Sequence, residues 1–139
     1  MQASAVSVRR VNLALEGKTY DPVAFEVTEE RVRAFQDLFG GPPGVPPTFL
    51  TAAEFTVFPQ VIGDPELDLD FTRVVHGTQE YVFHRSLRIG ETLMAQPRIA
   101  SIRRRGGNCF LVIETQLRGI DGEAAAVARS TMIERESAR

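Results

Sequence analysis

The stretch 48–58, TFLTAAEFTVF, places apolar or small side chains around nearly the whole circumference of a helix. A helix of that kind expects to be enclosed, and the sequence after it is almost entirely strand-like. Pro47 suits its first turn, and Pro59 is expected to end it. Thr51, Ala52 and Ala53 are small while Phe49, Phe55 and Phe58 are bulky.

Four strand-like segments follow, at 74–87, 92–103, 109–118 and 123–133. The links between them are short and carry turn residues, which predicts an antiparallel meander. Ala124-Ala125-Ala126 favours helix by propensity, but Val127, Thr131 and Ile133 are β-branched, and a last strand would pair with the hairpin before it. Upstream, 23–27 alternates as a short strand, and Thr28 is placed to cap a helix of about three turns. Glu29 and Glu30 suit the first turn of that helix, and Val32, Phe35, Leu38 and Phe39 recur on one face before Gly40-Gly41 stop it. The loop 40–47, GGPPGVPP, combines missing amide donors with positions tolerant of positive φ, so it is rigid and irregular. Residues 1–15 read as a flexible arm with no assigned function, and residues 16–139 as a single domain. A chain of 139 residues, 43% hydrophobic, is long enough for one core and short for two.

Charge and cysteine content narrow the function classes. A formal net charge of -2 leaves no basic footprint for a phosphate backbone, so nucleic acid is not an expected partner. Cys109 is the single cysteine, which excludes an internal disulfide, and with two histidines besides no Cys/His metal site assembles. No metal and no cofactor are expected. No segment approaches the length of a membrane span, so a cytoplasmic protein is the default expectation.

One enclosed helix wrapped by a long antiparallel sheet is the hotdog architecture, an α+β fold, and three stretches narrow the match. Val45-Pro46-Pro47-Thr48-Phe49 leads into the helix, Val75-His76-Gly77-Thr78-Gln79-Glu80-Tyr81-Val82-Phe83-His84-Arg85 forms the next strand, and Ser86-Leu87-Arg88-Ile89-Gly90-Glu91-Thr92-Leu93 forms its turn. Together they resemble the N-terminal MaoC-like dehydratase family, which includes non-catalytic subunits of mycobacterial-type (R)-3-hydroxyacyl dehydratases. The resemblance implies an acyl-thioester substrate, carried on coenzyme A or an acyl carrier protein. It also implies a homodimer, or a heterodimer with a catalytic MaoC-like subunit. Active hydratases of that superfamily carry an Asp and a His in the loop before the central helix, whereas 40–47 contains neither. Asp37 is the nearest acid, one turn back, with no histidine near it in sequence. Elimination of water needs a base for the α-proton and an acid for the leaving hydroxyl. No catalytic residue is therefore assigned, and the chain is expected to be a poor hydratase alone.

The expected substrate-binding residues are Pro47, Thr48 and Phe49 on one wall and His76 and Gln79 across from them. His76 opens a strand and either bonds the thioester or a partner's loop, or caps the strand through a backbone carbonyl. Strict strand alternation points Gln79 to the face opposite His76, with Tyr81 and Phe83, where a buried amide needs a partner from substrate or protein. His84 lies roughly 25 Å from His76 in an extended strand, too far to share one small site. Glu54 either serves as the acid of a hotdog thioesterase or points outward or pairs with an arginine. Arg103-Arg104-Arg105 suits coenzyme A phosphates or is a solvated hairpin tip. Two alternatives to the dehydratase subunit stand beside it: a homodimeric acyl-CoA thioesterase and a non-catalytic acyl-thioester binding protein.

Overall fold

Pro47 does open the central helix, but through one turn of 3-10 helix, Pro47–Phe49, which leads into α2 at Leu50–Ile62. The computed structural model describes residues 10–137. Around α2 are ordered β1 (Val23–Glu26), α1 (Glu29–Phe39), β2 (Val74–Phe83), β3 (Thr92–Arg105), β4 (Asn108–Gly119) and β5 (Ala124–Glu134). Pro59 does not end α2 as expected; it lies inside it, and Gly63 closes the helix with its amide on the Pro59 carbonyl. Proline is tolerated there because Phe55, whose carbonyl loses its donor, and Pro59 itself lie on the exposed side. The opposite side is dry: Leu50, Ala53, Val57 and Val61 are fully buried in the core with Leu93, Ile99, Leu111, Ile113 and Leu117.

The sheet is antiparallel throughout, in the order β1-β3-β4-β5-β2. The meander expected over the four later strands holds only for β3-β4-β5. β2 pairs with β5 at the far edge instead of forming a hairpin with β3, and the link between them, 84–91, crosses the end of the sheet. Three strand spacings amount to about 14 Å. Eight residues can reach roughly 26 Å, so the link is long enough for the crossing. Its far end is docked just beyond β1 by Gly90 N–H to the Val27 carbonyl at 2.7 Å and Val27 N–H to the Glu91 carbonyl at 2.9 Å. Gly90 has φ +95°, a conformation that a side chain would strain. Arg85 and Glu91 brace the two ends of the crossing with hydrogen bonds of 2.8 and 3.1 Å.

Thr28 caps α1 as expected, accepting the Arg31 amide at 3.1 Å. Only part of the apolar face of α1 is covered: Val32 is buried and Phe35 packs on Phe49, but Leu38 and Phe39 are 79% and 71% exposed. The loop after α1 is held by Gln36, whose amide donates to the carbonyls of Pro42 and Gly44 at 3.3 and 2.8 Å. Of the arm expected over residues 1–15, positions 1–9 lie outside the described residues. Val11 is buried, and Asn12 N–H donates to the Leu67 carbonyl at 2.9 Å. The described helices include none long and apolar enough to cross a membrane.

Candidate functional site

β2 is an edge strand, bonded to β5 on one side and, among the described residues, to no strand on the other. α2 lies along its inner face in the opposite sense, so each turn of the helix meets a different part of the strand. Thr51 shares a hydrogen bond with the Tyr81 hydroxyl, and three residues further along α2 Glu54 Oε2 accepts from Gln79 Nε2 at 3.1 Å. Pro47, at the helix start, lies by the far end of β2, in a pocket of about 360 Å³ with Val45, Phe83, His84 and Leu87.

His76 joins the same face as Gln79, against strict alternation. The register shifts between His76 and Thr78, so that His76 opposes Met132, Thr78 opposes Thr131 and Gln79 opposes Ser130. Gly77 is the extra residue of a β-bulge, and one inserted residue returns His76 to the inner side. A Cβ on Gly77 would meet Ile133 Cδ1 at 2.9 Å and the Thr131 carbonyl oxygen at 3.3 Å, so the close approach of β5 demands glycine here. His76 Nε2 lies 2.8 Å from Ser130 Oγ and 3.1 Å from the Thr78 carbonyl oxygen. A carbonyl only accepts, so this contact calls for a proton on Nε2.

The structure therefore brings His76, Ser130, Gln79 and Glu54 together and sets Pro47 and Thr48 at the other end of α2. Thr48 is exposed, while Phe49 is buried between Phe25 and Phe35, at ring separations of 5.9 and 5.7 Å, with its surface turned to the core. Glu54 neither faces a gap nor meets an arginine; it is 0% exposed, and its Oε1 has no hydrogen-bond partner. Burial pushes its carboxyl up to about 7, against the opposing influence of the Gln79 and Tyr81 hydrogen bonds. Arg104 is engaged, donating to the Val11 carbonyl at 2.7 Å beside a tight Gly106-Gly107 turn. Phe58 is nearly buried and Phe55 is 65% exposed. Phe55, Phe58, Ile62, Phe71 and Met132 line an apolar groove of about 490 Å³ that begins at Met132, the residue opposite His76.

Sequence reasoning missed Ser130 and the pairing of Thr51 and Glu54 with Tyr81 and Gln79. One signal was available. An isolated glycine within a strand pattern marks a bulge or a close backbone approach, and Gly77 is such a glycine.

A five-stranded antiparallel sheet packed on one long helix defines a hotdog-like fold. The family described as "FAS1-like, dehydratase domain region" matches residues 39–128, and the chain belongs to it. A UPF0336 protein of Saccharopolyspora erythraea is 32% identical, with 88% of this chain and 90% of that protein covered. Among solved structures, the fold is similar to that of the C-terminally truncated HadBC (3R-hydroxyacyl-ACP dehydratase) complex of Mycobacterium tuberculosis. There the TM-score is 0.74 and the identity 23%, over 86% of this chain and 96% of that one. The ChsH1-ChsH2 complex of the same organism matches with a TM-score of 0.63 at 13% identity, over 86% and 90% of the two chains.

Proposed function

We propose that this chain is the substrate-binding and stabilising subunit of a cytoplasmic (R)-specific 3-hydroxyacyl-thioester dehydratase, and that a catalytic MaoC-like hotdog partner supplies the acid/base pair. The observation that carries this reading is the loop 40–47, which enters α2 where an Asp and a His are expected and contains neither. The free edge of β2 supports it further, because Val75, Val82 and Phe83 are exposed on a strand paired on one side only, a liability that a second sheet removes. The hotdog complexes of similar fold, a 3R-hydroxyacyl-ACP dehydratase among them, are consistent with such an assembly.

Antiparallel pairing of two β2 edges would bring the His76 end of one subunit to the Phe83 end of the other. In that arrangement Pro47 and Thr48 of this chain serve one ligand site, and His76 and Gln79 serve the other, facing the partner's loop. Phe49 contributes by fixing the start of α2 from the core. The Gln79 side-chain carbonyl oxygen accepts and the His76 ring can present Nδ1, so the groups they suit are the hydroxyl or amide N–H donors of an acyl-thioester ligand rather than its thioester carbonyl. The thioesterase reading gains less support, because it needs the Glu54 carboxylate to touch the thioester carbon and Glu54 has no exposed surface.

The test is hydration of an enoyl-coenzyme A by the purified chain, alone and mixed with a MaoC-like hotdog subunit that carries the Asp/His loop. Little or no turnover alone, and turnover in the mixture, is the expected result. Robust turnover by the lone chain that His76→Ala abolishes would overturn the reading and make His76 a catalyst.

A further inference from the structure

Glu54 is a wholly buried acid without a countercharge among the described residues. Its Oε2 is held by Gln79 and its Oε1 by nothing, although it sits in the middle of the polar row. Gln79 Nε2 donates at the same time to the Arg129 carbonyl at 3.2 Å, so the amide ties α2 to both β2 and β5. With the Thr51–Tyr81 bond, it forms one of two polar rungs between α2 and the inner face of the edge strand. The charged groups nearby are engaged elsewhere. Arg129 sends its guanidinium to Glu114, at 3.4 Å, on the other side of the sheet. From β2 the titratable groups on this face are Tyr81, bonded to Thr51 and also acting on the Glu54 carboxyl against the rise that burial causes, and His76, bonded to Ser130. From β5 the facing group is Ser130, and from α2 itself Thr51; neither brings a charge.

A carboxylate in such a setting is costly unless it is paired, so the neutral acid is the favoured form below about pH 7. The neutral acid still accepts from Gln79 through its carbonyl oxygen. The ionised form gains negative charge on an oxygen that has no donor, and satisfying it requires water between α2 and β2.

We propose that Glu54 is a positioning residue that works as an uncharged acid: protonated, it clamps Gln79 and the β2 edge onto α2, and ionised, it loosens them. The consequence for partner and ligand binding rests on the function proposed above, since His76 and Gln79 lie on the strand that Glu54 holds; the clamp itself belongs to the isolated chain. A carboxyl raised to about 7 against its ordinary 4.5 makes the folded state bind the proton more tightly than the opened one. The clamp is therefore strongest below about pH 4.5 and weakens as pH rises towards about 7, above which the loss levels off.

The test is hydrogen exchange on the lone chain, corrected for the intrinsic pH dependence of amide exchange, in wild type, Glu54→Gln and His76→Asn. In wild type the β2 amides should lose protection by up to about tenfold per pH unit between about pH 5 and 7. Amides shared by β3 and β4 should not follow. Glu54→Gln, a permanently neutral replacement, should keep β2 protected at all these pH values, and His76→Asn, whatever its overall protection, should keep the wild-type pH dependence. Flat β2 protection in wild type, the same decline in Glu54→Gln, its disappearance in His76→Asn, or a decline common to all strands would each overturn the clamp. Should Glu54→Gln fail to fold, infrared difference spectra of the wild type decide. A protonated-carboxyl band persisting above about pH 6 supports the proposal, and loss of every such band below about pH 5 overturns it. Lack of dehydratase activity in the mixed assay, with this pH response intact, would remove the functional reading and leave the clamp standing.

Discussion

His76 forms its side-chain hydrogen bond with Ser130, the cross-strand neighbour of Gln79, and not with its own neighbour Met132. The diagonal exists because Gly77 is an extra residue in β2, and the bulge turns the His76 ring along the strand towards Ser130. Gly77→Ala should therefore affect position as well as stability. Its methyl would press on Ile133 Cδ1, which can yield, and on the Thr131 carbonyl oxygen, which cannot yield easily. A loss of about 1–3 kcal/mol is expected. Urea unfolding should read that loss, and the His76 ring resonances should move; unchanged ring shifts would mean that the bulge does not orient His76.

Ser130→Ala removes the hydroxyl from a buried site while His76 keeps its contact with the Thr78 carbonyl. A loss of about 0.5–1.5 kcal/mol in folding stability is expected. The informative comparison is binding of a non-reactive acyl-coenzyme A analogue to wild type, Ser130→Ala, His76→Ala and Thr48→Val, with and without a catalytic subunit. Weaker binding in His76→Ala and Thr48→Val is expected. Equal affinity in all four proteins would show that the ligand lies elsewhere.

Phe49 should matter through packing. It is buried between Phe25 and Phe35 at the point where the chain enters α2. Phe49→Ala should cost about 3–5 kcal/mol and lower the thermal midpoint, whereas Phe55→Ala, on an exposed side chain, should cost much less. Calorimetry on both variants checks the contrast, and a Phe55 effect as large as that of Phe49 would contradict it.

The Arg85–Glu91 brace should give acid sensitivity. Burial acts to raise the Glu91 carboxyl, but the Arg85 guanidinium and the Arg88 amide outweigh it and hold the carboxyl below its ordinary 4.5. A depressed carboxyl stabilises the fold above its unfolded value, and that contribution is lost as pH falls through the folded one. Wild type should therefore lose stability as pH drops below about 4.5, and Arg85→Met should lose less over the same range. At neutral pH the variant should be weaker by about 1.5–3 kcal/mol, as for hydrogen bonds to a charged group. Parallel stability curves for the two proteins would remove Glu91 as the source.

What could be read from the sequence followed from periodicity. Thr28, α1, α2 and the β3-β4-β5 hairpins each leave a local signature and are present in the structure, although α2 is exposed at Phe55 and Pro59 rather than enclosed all round and the α1 stripe is uncovered at Leu38 and Phe39. The partner of β2 could not be read this way, because strand order depends on whether a link doubles back or crosses, and 84–91 is compatible with either. The position of the Pro59 break failed for a similar reason: whether a helix tolerates proline depends on whether the carbonyl it orphans faces water. At the candidate site, alternation predicted opposite faces for His76 and Gln79, and one glycine reversed that. Glu54 was visible as an acid on an apolar helix, but its amide partner lies 25 residues away and is set by packing alone.

The crossing at 84–91 also sets an order of events for a growing chain. β2 is complete at Phe83, yet the strand it must pair with, β5, spans Ala124–Glu134. Until those last residues emerge, β2 has two open edges and exposes Val75, Val82 and Phe83 with no neighbour on either side, a state open to mispairing with another chain. The strand that lies at the edge of the finished sheet thus stays wholly unpaired while residues 84–123, and then β5 itself, are made. Slow passage through β4 should prolong that interval, and a second subunit already present could shorten it by occupying the strand first.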